Sequence, residues 1–148
     1  DINLRSPWWQ RETVMSLLRG ACWIKLNEVE LALLVPEVET LQAQMQHLQE
    51  CCAARLLIVT CGAAGAMVLT SGGEEFRVEP QGHSEVIDTV GAGDAFTSVM
   101  LLGLLRGWGV PLMLEHAQAF ASAITGVRGA THNDPGFYQP FIENWKLI

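Results

Sequence analysis

The protein has 148 residues, of which 49% are hydrophobic and 17% charged, and its formal net charge is −7 at pH 7. This length and composition are typical of one globular domain with a real core, and they exclude a disordered chain. The negative charge argues against broad contact with nucleic acid, which needs a basic surface. The longest uncharged stretch, residues 56–73, is interrupted by Gly62 and Gly65, so no membrane span is expected.

The first part of the chain predicts helices that alternate with strands. ETVMSLL, within residues 8–19, has helical spacing, and CWIKL is a short apolar strand. Asn27 follows that strand and can cap a short helix, EVELALL, which Pro36 ends. Residues 37–53 have the spacing of a second, amphipathic helix, and RLLIVTCG is a buried strand stopped by Gly62.

The later part predicts a hairpin and then two long helices. AMVLTS and EEFRVEP, separated by Gly72 and Gly73, have the pattern of paired strands. A helix from Ala95 to about Arg106 is apolar nearly all round, so we expect it to be buried. Glycines follow it, Pro111 starts the next helix, and FIENW is a last helical turn. The order of elements favours an α/β sandwich with a largely parallel sheet.

The GAGD turn at residues 91–94 has the residue types of an anion site beside a base. Its glycines allow the backbone to approach a ligand closely, and a helix start offers free N–H groups. The Asp94 carboxylate could accept a proton from a hydroxyl that attacks a phosphate bound there. The alternative is that Asp94 only caps the helix, because Asp is a favoured capping residue.

Five motifs in order resemble those of the ribokinase-like (PfkB) carbohydrate kinases. DTVGAGDAF is similar to the family's second signature, and NEVE to its N-x-x-E motif. The others are DINLR at residues 1–5, TCGAAG at residues 60–65, and the Gly129-Ala130 pair. The resemblance implies a three-layer α/β/α sandwich and transfer of phosphate from ATP to a sugar hydroxyl. Asp94 would be the general base, and the N–H groups of Gly91, Ala92 and Gly93 would form the anion hole.

The resemblance also implies cofactor positions. Asn27 and Glu30 would place Mg²⁺ through water, although NEVE alone is equally typical of a helix cap with an acidic first turn. Thr60, Gly62 and Gly65 would line the triphosphate, although the pattern also suits a plain turn between strands.

Two further regions have implied ligands. Asp88 and Gly129 resemble the family's loop for a monovalent cation such as K⁺. The adenine would contact the helix that carries Gln118 and Ala121, but Gln118 departs from the His or Asn of some members.

The resemblance assigns residues 1–148 to the C-terminal nucleotide-binding and catalytic part of such a kinase, without the N-terminal sugar-binding half. The expected partners are ATP and a sugar, in a fructokinase-like, ketodeoxygluconate-like or phosphosugar reaction. We expect the chain alone to be inactive and to associate, as in a homodimer. Alternatives are a nucleotide- or sugar-responsive binding module without catalysis, and a purely structural domain.

The cysteines and histidines predict no metal site. The four cysteines form no CxxC pair, and free thiols indicate a reducing cytoplasm. The histidines are scattered, which favours roles in packing or at the surface over ligation; they are His47, His83, His116 and His132.

Overall fold

A computed structural model describes residues 1–81 and 86–148, so His83 lies outside the described residues. The chain divides into two compact units, Asp1–Glu79 and Pro80–Ile148, and each is described by itself. Among the helices of the described residues, none combines the length and the apolar character that crossing a membrane requires.

The first unit contains a four-stranded sheet in the order β1 (Trp23–Asn27), β2 (Leu56–Thr60), β3 (Ala66–Thr70) and β4 (Glu75–Val78). β1 and β2 are parallel, whereas β2–β3 and β3–β4 are antiparallel, which confirms the predicted hairpin. The sheet is therefore mixed and not largely parallel as predicted. Residues 61–65 and 71–74 are too few for a crossover of a dozen or more residues, so they can only reverse the chain.

Three helices accompany this sheet: α1 (Arg11–Leu18), α2 (Glu28–Leu34) and α3 (Leu41–Cys52). α3 begins four residues later than predicted, because the Thr40 side chain accepts the Ala43 N–H and caps the helix there. The core lies between these helices and one face of the sheet. Its most deeply buried members include Leu26, Leu31, Leu34, Leu48, Leu57 and Val59.

The second unit is helical, with α4 (Ala92–Arg106), α5 (Val110–Thr125) and α6 (Gln139–Asn144). Pro111 lies in the first turn of α5, as predicted. The expected burial of α4 on all sides is wrong, because Leu101 is 52% exposed and Leu105 84% exposed. Only the face that packs on α5 is buried; it consists of Ala95, Phe96, Val99, Met100 and Gly103.

Candidate functional site

The start of α4 carries the predicted anion donors. Gly91 is the N-cap residue in the left-handed conformation, with φ of +82°, so the helix starts at Ala92 and not at Ala95. The Ala92 N–H donates to the Thr89 carbonyl at 3.3 Å. Among the described residues, nothing accepts a hydrogen bond from the N–H groups of Gly91, Gly93 or Asp94. Within the described residues, the N–H groups left for an anion are therefore those of Gly91, Gly93 and Asp94. The sequence analysis counted Ala92, whose N–H is already hydrogen-bonded, and did not count Asp94.

Asp94 is the third residue of α4, inside its first turn. Its side chain is exposed, and no described residue donates a hydrogen bond to the carboxylate. The interpretation of Asp94 as a cap alone is therefore wrong, since the capping position belongs to Gly91. A carboxylate here is stabilised by the positive end of the helix dipole and is open to solvent, as a base that meets a substrate hydroxyl must be.

Asp88 fixes the segment that leads into α4. One carboxylate oxygen accepts the Val90 N–H at 3.0 Å, and the other accepts the Gly129 N–H at 3.0 Å. These two backbone hydrogen bonds, chiefly that from Val90, lower the pKa of the Asp88 carboxyl. The group therefore stays ionised at neutral pH, as a cation ligand requires. The structure thus joins Asp88 to Gly129, two residues that the sequence analysis placed in one loop.

The segment that leads into α4 also meets the segment around Gly129 at a second place, where Gly91 lies against Ala130. A Cβ atom at Gly91 would lie 2.5 Å from both Cα and Cβ of Ala130. The N–H groups of Ile87 and Asp88 both donate to the Thr125 carbonyl, at 2.8 and 3.1 Å. The sequence analysis missed Thr125, because a carbonyl at the end of a helix has no sequence signature beyond its position.

In the first unit, Asn27 and Thr60 lie side by side. They are the last residues of β1 and β2 and are partners in the parallel register. The Thr60 hydroxyl donates to the Leu26 carbonyl at 3.5 Å. The carboxyl edge of parallel strands is where α/β proteins bind ligands, so the two predicted cofactor motifs meet at a suitable place.

Glu30 is buried and its carboxylate is already hydrogen-bonded. One oxygen accepts the Asn27 N–H at 2.9 Å, and the Asn27 side-chain oxygen accepts the Glu30 N–H at 2.9 Å, which forms a capping box. The other Glu30 oxygen accepts the Leu4 N–H at 3.0 Å, a contact with DINLR that the sequence analysis did not predict. The interpretation of NEVE as a helix cap is thus confirmed, since Asn27 and Glu30 cap the start of α2. Each oxygen retains a lone pair, which fits contact with Mg²⁺ through water better than direct ligation.

Residues 60–65 form a strand-to-strand turn that contains a short 3₁₀ helix, Gly62–Ala64. The Cys61 N–H donates to the Gly65 carbonyl at 2.7 Å, and the Gly65 N–H donates to the Gly62 carbonyl at 3.1 Å. The N–H groups of Gly62 and Ala63 meet no acceptor among residues 1–81 and 86–148. The turn therefore offers two donors to an anion.

Gly65 holds this turn against β4. Its φ of +86° and ψ of −132° are accessible essentially only to glycine, and a Cβ would lie 1.9 Å from the Val78 carbonyl oxygen. We expect Gly65→Ala to lower the free energy of unfolding by about 1–3 kcal/mol more than Gly73→Ala. Gly73 is a matched control because its φ is +82° but a Cβ there meets nothing within 4 Å. Urea denaturation of both variants measures the difference, and equal losses would refute the steric explanation.

Gln118 and Ala121 lie on the buried face of α5, with exposures of 9% and 7%. The Gln118 amide donates to the Ser122 hydroxyl at 3.0 Å. Their burial favours the packing interpretation of both residues. Their contact with adenine stays a prediction.

Within residues 1–81 and 86–148, no group of three or more His, Cys, Asp or Glu side chains is placed to hold a metal ion. A cavity of about 630 Å³ lies between the N-terminal segment and α1, and none of the predicted site residues lines it. Its walls include Ile2, Leu4, Trp8, Trp9, Val14 and Leu17.

The chain matches the profile of the pfkB family carbohydrate kinase over residues 1–135. It is 34% identical over 120 residues to an ATP-dependent 6-phosphofructokinase of Thermoanaerobacterium thermosaccharolyticum, covering 78% of this chain and 36% of that protein. It is 31% identical over 95 residues to a 5-dehydro-2-deoxygluconokinase of Geobacillus thermodenitrificans, covering 63% of this chain and 28% of that protein. The matched regions therefore span only 28–36% of the length of these relatives.

Among solved structures, the fold is similar to that of phosphofructokinase-2 from Escherichia coli in complex with potassium. The TM-score is 0.75 at 24% identity, and the match covers 91% of this chain and 45% of that one. This likeness confirms the predicted ribokinase-like α/β fold.

Proposed function

Because the chain belongs to the pfkB family of carbohydrate kinases, we propose that it supplies the catalytic base and the anion-binding helix for ATP-dependent phosphorylation of a sugar hydroxyl. The observation that carries this proposal is the start of α4, where the exposed Asp94 carboxylate lies in the same turn as N–H groups that meet no acceptor among residues 1–81 and 86–148.

The proposed reaction assigns one task to each group at this turn. Asp94 accepts the proton of the sugar hydroxyl as its oxygen attacks the γ-phosphorus, and the bond from that phosphorus to ADP breaks. The N–H groups of Gly91 and Gly93 donate to the oxygens of the transferring phosphoryl group and stabilise the negative charge on them. These donors are fixed before the reaction, because the contact between Gly91 and Ala130 determines where the helix begins.

The cofactor roles follow from the chemistry of the donors. Asn27 and Glu30 would hold Mg²⁺ through water, and the ion would supply charge neutralisation on the phosphates. Thr60 and the free N–H groups at Gly62 and Ala63 would contact the triphosphate. Asp88, whose carboxyl pKa is lowered, would hold a monovalent cation beside Gly129, and the potassium in the solved phosphofructokinase-2 supports this role.

The acceptor is proposed only as a class. One curated relative is named for a phosphorylated sugar and the other for a deoxy sugar acid, which supports a fructokinase-like, phosphosugar or ketodeoxygluconate-like acceptor. We further propose that residues 1–148 are the C-terminal nucleotide-binding and catalytic part of the enzyme. The isolated chain should turn over poorly, because its matches cover only 28% and 36% of these relatives.

A sugar-dependent ATPase assay tests the proposed function. The full-length gene product is incubated with ATP, Mg²⁺ and a panel of fructose, fructose 6-phosphate, 2-keto-3-deoxygluconate and 5-dehydro-2-deoxygluconate. We expect one acceptor to stimulate ADP formation with matching formation of the phosphorylated sugar. Binding of ATP or of a sugar without ADP formation from any acceptor would contradict catalysis and favour a binding module.

A further inference from the structure

One polar pair on α3 lies outside the proposed kinase site. The Sγ atom of Cys51 lies 3.6 Å from Nε2 of His47, and both side chains are exposed. The two residues are four positions apart, so they project from the same face of the helix. Neither side chain forms another described hydrogen bond, so both donor atoms face solvent and each other.

The distance between Cys51 Sγ and His47 Nε2 is close to the distance between two donor atoms on one tetrahedral metal ion. Zinc binds a cysteine sulfur at about 2.3 Å and a histidine nitrogen at about 2.0–2.1 Å, and a tetrahedral angle then separates the two donors by about 3.5 Å. The observed distance of 3.6 Å therefore needs little movement of either side chain to admit an ion. A thiolate and an imidazole are also the ligands that thiophilic divalent cations prefer over Mg²⁺.

The helix holds this pair in place. Met45, Leu48 and Cys52 are buried on the opposite face of α3. The Gln49 amide donates to the carbonyls of Ala54 and Leu69, at 3.3 and 3.0 Å, which ties the end of the helix to the sheet. The buried side chains and the Gln49 hydrogen bonds thus fix the last turn of α3, so His47 and Cys51 project from a helix that is held in place.

We propose that His47 and Cys51 form a two-ligand surface site for a thiophilic divalent cation such as Zn²⁺. On binding, the Cys51 thiol releases its proton to solvent, and the sulfur and His47 Nε2 each donate a lone pair to the ion. Water completes the coordination, since no third ligand of the usual types is close by among the described residues. Glu50, exposed three positions after His47, adds negative charge on the same face.

Cadmium titration of the full-length gene product tests this site. A thiolate–Cd²⁺ charge-transfer band in the ultraviolet reports on the sulfur, and the matched control is Cys22→Ser, which removes the other exposed cysteine. We expect the band to persist in Cys22→Ser and to vanish in Cys51→Ser. His47→Gln should weaken the affinity by about tenfold or more. A thermal scan with Zn²⁺ gives a second readout, since an ion that binds only the folded state raises Tm.

Two results would overturn the proposal. An unchanged cadmium affinity in His47→Gln would mean that the imidazole is not a ligand. A band that survives in Cys51→Ser, or is lost in Cys22→Ser, would place the metal on another thiol. None of the three variants touches a residue assigned to phosphoryl transfer, so kinase activity with Mg²⁺ and without added Zn²⁺ or Cd²⁺ should be unchanged in all three.

Discussion

Asp94→Asn is expected to lower kcat of the full-length gene product by about 10²–10⁴-fold, the range for loss of a general base. The amide has nearly the same shape as the carboxylate but cannot accept the proton of the sugar hydroxyl. The substitution should not disturb the fold, because no described residue donates a hydrogen bond to the Asp94 side chain. Coupled measurement of ADP formation gives kcat, and calorimetric titration gives the affinity for ATP.

Glu143→Gln is the matched control for this experiment. It also removes one carboxylate charge in the second unit, and the Glu143 side chain is exposed on α6, where it accepts a hydrogen bond from Gln139. We expect kcat and ATP affinity of this variant to equal those of the wild type. A near wild-type kcat in Asp94→Asn would contradict the assignment of Asp94 as the general base. Lost ATP affinity in Asp94→Asn alone would mean that the residue binds nucleotide instead.

Local signals predicted much of the first unit. Asn27 after an apolar strand predicts a helix start, and the structure shows the hydrogen bond from Glu30 that makes it one. The hairpin follows from Gly72 and Gly73 between AMVLTS and EEFRVEP, two runs with the pattern of paired strands. The mixed character of the sheet could also have been predicted, because the connections on either side of β3 are too short for crossovers. The error came from weighing the alternation of helices and strands more heavily than loop length.

The start of α4 could not be predicted from local preference. Asp is a better capping residue than Gly in general, so GAGD favours Asp94 as the first residue outside the helix. The chain instead begins the helix at Ala92, and Gly91 lies so close to Ala130, 39 positions later in the sequence, that a Cβ would overlap it. We infer that this contact sets the start of the helix. Such a contact has no signal within a short window, and it moves Asp94 from the cap into the first turn.

The two ends of α4 provide a controlled test of this contact. Gly91 and Gly107 both adopt left-handed conformations, with φ of +82° and +69°. A Cβ at Gly107 would meet nothing within 4 Å, whereas one at Gly91 would lie 2.5 Å from two atoms of Ala130. Substitution by alanine imposes similar backbone strain at both positions, so the two variants differ mainly in the steric overlap.

We therefore expect Gly107→Ala to lower the free energy of unfolding by about 1–2 kcal/mol, and Gly91→Ala to lower it by about 1–3 kcal/mol more. Of the two Ala130 atoms at 2.5 Å, Cα belongs to the backbone and Cβ is bonded directly to it, so a change of rotamer cannot relieve the strain. Relief requires the segment around Gly91 to move away from Gly129, which would stretch the Asp88 hydrogen bond and redirect the free N–H groups. Gly91→Ala should accordingly lose kinase activity, and Gly107→Ala should keep it. Urea denaturation and the sugar-dependent ATPase assay measure the two effects, and equal behaviour of the variants would show that Ala130 does not position the helix start.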